Sequence, residues 1–189
     1  MRVDEQKPDM RRQRRTSGDS SRRSSKLKVN EAKSAVARPQ ERKFLGFSFT
    51  AGPEVKRVIA PKALDRFKQR IREITGRAKG VSMETTMEEL APYMRGWRSY
   101  FGFCETPGVL VSLTGWVRRR LRCALWRQWK TVRRRRVALL GLGVRWQLAT
   151  NLAGSGRGPW YLALTKALNV GLSKAYFRSL GLPSLFEDC

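Results

Sequence analysis

Apolar residues recur at intervals of three and four from Leu64 to Leu125, and cations fill most of the positions between them. Leu64, Phe67, Ile71 and Ile74 form one such series, and Leu90, Met94, Trp97 and Phe101 a second. Leu113, Trp116, Val117, Leu121, Ala124 and Leu125 form a third. A period near 3.6 places each series on one helix face and fits no strand, whose side chains alternate. Pro61 suits the first position of the first helix. Thr85 or Thr86 suits the cap of the second, with Glu88 and Glu89 in its opening turn. Pro92 is expected to divide that second helix into two shorter ones, because proline removes a backbone donor. The third helix is predicted over 110–132.

Composition divides the chain into four stretches. Residues 1–25 are mainly Arg, Ser, Asp and Gln with almost no apolar content. They bury too little to offset ordering entropy and are expected to be a disordered basic tail. The tail is either an arm that follows phosphates or an incidental extension. Within residues 26–60, Phe44-Leu45-Gly46-Phe47-Ser48-Phe49 reads as a strand ending at Thr50-Ala51-Gly52-Pro53, with Lys56-Arg57-Val58-Ile59 returning beside it. A lone hairpin is marginal in water, so it must pack on the helices or on something outside the chain. Residues 61–133 are the helical core. Residues 134–189 begin with the basic run Arg133–Arg136, with helices predicted over 137–150 and 160–178 and a glycine-rich break, Gly154 to Pro159, between them. The terminal stretch from Leu180 to Phe186 is apolar enough to dock. The predicted fold class is mainly α: a helical bundle with a small N-terminal β-hairpin and a disordered basic N-terminal tail.

The formal charge is +25 on 189 residues, and the isoelectric point is near 11.4. Self-repulsion on this scale calls for an anionic partner. Nucleic acid is the best fit, since Lys and Arg release its counterions. No apolar run reaches the length of a spanning helix, and the N-terminus lacks a signal-type apolar segment. A membrane partner is therefore not expected, and the expected location is the cytoplasm. Three widely spaced cysteines, Cys104, Cys123 and Cys189, form no zinc motif. No cofactor or metal is expected. The chain has no histidine, and its five aspartates never pair. A Ser-His-Asp triad cannot be built, and clustered carboxylates for two metal ions are lacking. No polymerase or nuclease activity is expected of the isolated chain.

Several strings, in order, resemble one family. They are Phe44-Leu45-Gly46-Phe47, the basic helix, Arg95-Gly96-Trp97 with Tyr100-Phe101, Trp116-Val117-Arg118-Arg119-Arg120-Leu121-Arg122, and Trp126-Arg127-Gln128-Trp129-Lys130. Together they resemble the maturase-specific domain of group II intron reverse transcriptases. Gly158-Pro159-Trp160, Tyr176-Phe177 and Gly181-Leu182 are similar to that family's C-terminal part. Leu27 to Ser34, with Asn30 and Lys33, resembles the last motif of its palm. The resemblance implies the end of a palm, a thumb-like helical domain and a C-terminal segment, without the catalytic palm carboxylates. It implies group II intron RNA as the partner, held to assist splicing. Target DNA and a separate palm chain that completes a split reverse transcriptase are further partners it leaves open. A non-specific basic DNA-binding protein is the alternative from another class.

The residues expected to contact RNA are Arg66, Arg70, Arg95, Arg98, Arg118, Arg119, Arg122, Arg127 and Lys130 as cations, and Tyr100 and Trp126 as stacking aromatics lying off the apolar stripes. Phe44, Leu45, Gly46, Phe47, Gly96, Trp97, Phe101 and Trp116 are expected to be structural. Trp97, Phe101 and Trp116 lie on the stripes, and Gly96 permits close approach of a helix or of RNA.

Overall fold

The computed structural model describes residues 44–51, 53–76 and 80–186. The expected tail 1–25, the palm-like segment with Lys33, Arg77 and Cys189 lie outside the described residues. Strands β1 (Phe47–Phe49) and β2 (Arg57–Ile59) precede helices α1 (Pro61–Ile74), α2 (Met83–Phe101), α3 (Pro107–Gln128), α4 (Val132–Gly141) and α5 (Trp146–Ala153). Three short helices follow: α6 (Pro159–Leu162), α7 (Lys166–Gly171) and α8 (Lys174–Ser179). The fold is mainly helical with one small antiparallel hairpin, as the sequence predicts.

The hairpin pairs Phe47 with Ile59 and Phe49 with Arg57. Its entry differs from the expected straight strand. Phe44 and Phe47 exchange both backbone hydrogen bonds at 2.9 Å, which makes Phe44-Leu45-Gly46-Phe47 a tight turn. Leu45 and Gly46 both have positive φ, 50° and 81°, the signature of a type I′ turn. Gly46 is needed for a second reason. A Cβ there would lie 3.1 Å from the Phe101 ring. Leu45 has no such licence, and a left-handed backbone costs an ordinary residue about 1–2 kcal/mol. Its side chain is 66% exposed, so it loses little packing if replaced. Leu45→Asn is therefore expected to raise the thermal midpoint by several degrees, the equivalent of about 1 kcal/mol. A midpoint that stays or falls in a calorimetric scan would show that Leu45 is not strained.

An aromatic series ties the hairpin to the bundle. Phe47 packs on Phe101 with ring centroids 5.2 Å apart, Phe101 on Trp97 at 4.6 Å, and Trp97 on Phe67 at 4.5 Å. It runs from β1 through α2 to α1. The Tyr100 hydroxyl donates to the Leu45 carbonyl at 2.8 Å, and Ala60 N–H donates to the Gly46 carbonyl. The hairpin thus packs on the chain's own helices. Phe44 remains 69% exposed beyond them.

Ser82, not Thr85 or Thr86, caps α2, accepting from the Thr85 N–H at 3.2 Å. Thr86 is instead buried and donates back to the Ser82 carbonyl. Pro92 does not split α2, which runs unbroken from Met83 to Phe101. Pro92 is exposed, while Leu90, Ala91, Met94 and Trp97 are buried. The carbonyl that loses its partner is left on the solvent side, and core packing on the opposite side holds both halves in line. α3 ends at Gln128, earlier than expected, and Thr131 caps α4 by accepting from the Arg134 N–H. The basic run therefore forms the first turn of α4, where the helix dipole opposes positive charge.

The predicted helix over 137–150 is two helices. After α4 the chain turns at Gly143, φ 77°. Val144 N–H donates to the Leu139 carbonyl and Gly143 N–H to that of Leu140. This is a Schellman ending, with Leu139 and Val144 both buried beneath it. The predicted helix over 160–178 is likewise the three pieces α6, α7 and α8. The terminal stretch docks as expected: Leu182 and Leu185 belong to the core, and Leu185 N–H donates to Thr114 Oγ1 on α3. α3 thus packs on α1 and α2 along one side and on α6 and the terminal segment along another. Among the described residues no helix is long and apolar enough to cross a membrane.

Candidate nucleic-acid interface

Exposed and half-buried cations line each of four depressions among the described residues. Arg66 and Tyr100 line a groove of about 380 Å³ between α1, α2 and the turn at Gly46. Arg95 and Arg98 line one of about 560 Å³, closed by Phe103 and the terminal residues Leu185 and Phe186. Arg127, Lys130 and Arg134 line the largest, about 730 Å³, between the start of α2 and the end of α3. Arg118 lines a cavity of about 190 Å³ with Lys174 and Arg178 of α8.

The helices place these side chains for simple reasons. Phe67 and Ile71 turn one face of α1 into the core, so Arg66 and Arg70 fall on the outer face. Arg70 is partly neutralised there, reaching Glu73 at 3.3 Å and Glu89 at 3.1 Å. Leu90, Met94 and Trp97 do the same for α2, leaving Arg95 exposed and Arg98 half-buried. Gly96 lies on the same exposed side, and a Cβ there would meet nothing within 4 Å. Helix packing therefore does not require it. Tyr100 keeps one face on Phe47, with centroids 6.0 Å apart, and is half exposed.

Two expected contact residues are in the core instead. Trp126 is 1% exposed and packs edge-on to Trp129, with the Arg135 guanidinium 4.6 Å from its ring centre. It has no free face for a base. Arg122 is 7% exposed, and its Nε–H donates to the Leu172 carbonyl at 3.0 Å. Burial, and then the neighbouring Arg118 charge, lower its pKa to about 10, so it stays charged at neutral pH. Arg119 is committed too. Its guanidinium lies 3.8 Å from the Trp160 ring centre and donates twice to the Trp160 carbonyl, tying α3 to α6. Arg118, Arg119 and Arg122 are therefore not one exposed surface, and replacing all three would disturb the fold as well as the charge.

The cause is a second stripe on α3. Arg119, Arg122, Cys123 and Trp126 recur at helical spacing, and the last three are buried alongside the Leu113–Leu125 stripe. Cys123 and Trp126, three apart and both apolar, were its visible sign. Trp116 is half-buried, with the guanidiniums of Arg72 and Arg120 at 5.7 and 5.9 Å from its ring centre. Arg120 also donates to Thr75 Oγ1, linking α3 to the end of α1.

Exposed groups also lie outside the expected set. Trp146 at the start of α5 is 62% exposed. Tyr161 is half exposed, with the Arg157 guanidinium 4.5 Å from its ring centre. Arg134 shares the largest groove with Arg127 and Lys130. Among the described residues no group of His, Cys, Asp and Glu is placed to hold a metal ion.

Residues 64–139 match the family model described as group II intron, maturase-specific domain. No curated protein matches the chain by sequence.

Proposed function

With residues 64–139 a group II intron maturase-specific domain, we propose that the chain binds structured group II intron RNA in the cytoplasm and steadies the fold in which the RNA splices. The protein supplies cations and a few exposed rings, and the RNA carries the chemistry. One observation supports this above the others. Within residues 64–139 there are eighteen Lys and Arg against six Asp and Glu, and seven of these cations line depressions of about 190 to 730 Å³. The opening turn of α4, with cations where the helix dipole favours anions, becomes favourable when phosphates lie against it.

The test is binding of the purified chain to a folded group II intron RNA and to duplex DNA, at about 0.15 M salt. The RNA is expected to bind at least tenfold more tightly, because grooves on a fixed scaffold match a folded RNA better than a regular rod. Equal affinity for both would instead identify a non-specific basic DNA-binding protein.

A further inference from the structure

We infer that the cavity between α3, α8 and the terminal segment is a binding site for a phosphate group of the RNA backbone. Arg118 of α3 and Lys174 and Arg178 of α8 line it, and no carboxylate does so among the described residues. Among the described residues, none of the three side chains has a hydrogen-bond or ion-pair partner. The hydroxyls at the rim are already engaged. Thr114 Oγ1 donates to the Leu110 carbonyl and accepts from Leu185 N–H, and Ser184 Oγ donates to the Phe186 carbonyl.

Among the described residues no carboxylate lines this cavity to balance its charge. Arg122, one turn beyond Arg118, is buried and, among the described residues, has only the Leu172 carbonyl as acceptor. Like charges four apart on a helix destabilise it, and burial strengthens the repulsion. Burial alone lowers the Arg118 pKa. An anion in the cavity offsets all of this at once. The volume of about 190 Å³ holds several waters, and so a phosphate. Two guanidinium forks and one ammonium suit a tetrahedral anion with several oxygens better than a single carboxylate. Val111, Leu182 and Pro183 complete the wall, giving an apolar surface for the attached sugar.

The construction explains why the site depends on the C-terminal segment. α8 brings Lys174 and Arg178 to the cavity, and Phe177 between them is fully buried, with Arg122 5.9 Å from its ring centre. After α8 the chain returns over α3, Leu182 N–H donating to the Phe177 carbonyl. Two of the three cations therefore come from outside residues 64–139, which places a contact beyond the matched domain.

This inference rests on the RNA-binding reading only for the source of the phosphate, and the experiment separates the two. Thermal unfolding of the full chain is followed with rising inorganic phosphate, at ionic strength held constant with chloride. The midpoint is expected to climb with phosphate, as mass action requires of a ligand that binds the folded state. In Lys174→Gln/Arg178→Gln, both side chains being exposed, the midpoint in chloride is expected to stay close to that of the parent, and the phosphate response to vanish. An equal response in the double variant would assign it to general stabilisation by an anion excluded from the protein surface and sink the site. So would a response that appears only in Glu187→Gln/Asp188→Asn. With intron RNA, the double variant is expected to reduce the slope of log affinity against log salt by about 0.7–0.9 per lost contact. A phosphate response with an unchanged RNA slope would overturn the assignment to the RNA backbone. A phosphate response from a chain that binds no intron RNA would leave the anion site standing and remove the proposed function.

Discussion

Trp97→Ala lowers the stability of the chain by about 3–5 kcal/mol, the usual cost of truncating a buried aromatic. Trp97 is 8% exposed and stands at the middle of the aromatic series, with Phe67 of α1 at 4.5 Å and Phe101 at 4.6 Å. Removing it takes a partner from both, and Phe101 is the ring on which the hairpin's Phe47 rests. The neighbours cannot close the gap, because each is fixed on a different element. Domains of this kind have about 5–15 kcal/mol in total, so the variant should unfold at much lower urea. Trp146→Ala is the control: exposed on α5, it should change stability by about 0.5 kcal/mol or less. Urea unfolding followed by far-ultraviolet circular dichroism gives both values. A Trp97 variant with an unchanged midpoint and lost RNA affinity would make the ring a stacking residue and contradict its placement in the core.

The sequence made the helical faces legible wherever a helix buries a single stripe. Phe67, Ile71 and Ile74 on α1, and Leu90, Met94, Trp97 and Phe101 on α2, are buried as their spacing predicts. The hairpin's pairing was legible from its turn residues, but not its entry turn. Leu45 carries no mark of a left-handed backbone, and only Gly46 beside it hints at one. α3 was half legible. Its first stripe was plain, whereas the second was hidden because Arg119 and Arg122 look like solvent-facing residues. Their carbonyl partners, Trp160 and Leu172, lie 41 and 50 residues along the chain, beyond the reach of any local pattern. The C-terminal helices were misjudged for a related reason. Apolar spacing continues across Gly143, but the chain reverses there to bury Leu139 against Val144. Pro92 shows the opposite error: a local breaker overruled by packing on the far face.

The same distinction between free and committed cations determines which charges to reverse. Arg66, Arg95, Lys130 and Arg134 are exposed, and among the described residues their side chains make no hydrogen bond or ion pair. Each lines one of the three larger grooves. Changing all four to Glu is expected to leave the helices in place, since exposed substitutions usually shift stability by about 0.5 kcal/mol or less each. Affinity for group II intron RNA should fall about a hundredfold or more at 0.15 M salt, and the salt slope should lose about 0.7–0.9 for each contact removed. Arg122→Glu is the informative contrast. It places a carboxylate in the core beside the Leu172 carbonyl and breaks the hydrogen bond that the buried guanidinium makes to it, so its effect should appear first as lost structure. Circular dichroism separates the outcomes. A folded quadruple variant that binds RNA with the parent's affinity and slope would show that these three grooves do not hold the RNA. The contact surface would then lie elsewhere, on the basic N-terminal tail or on the C-terminal helices, where Trp146 and Tyr161 are exposed.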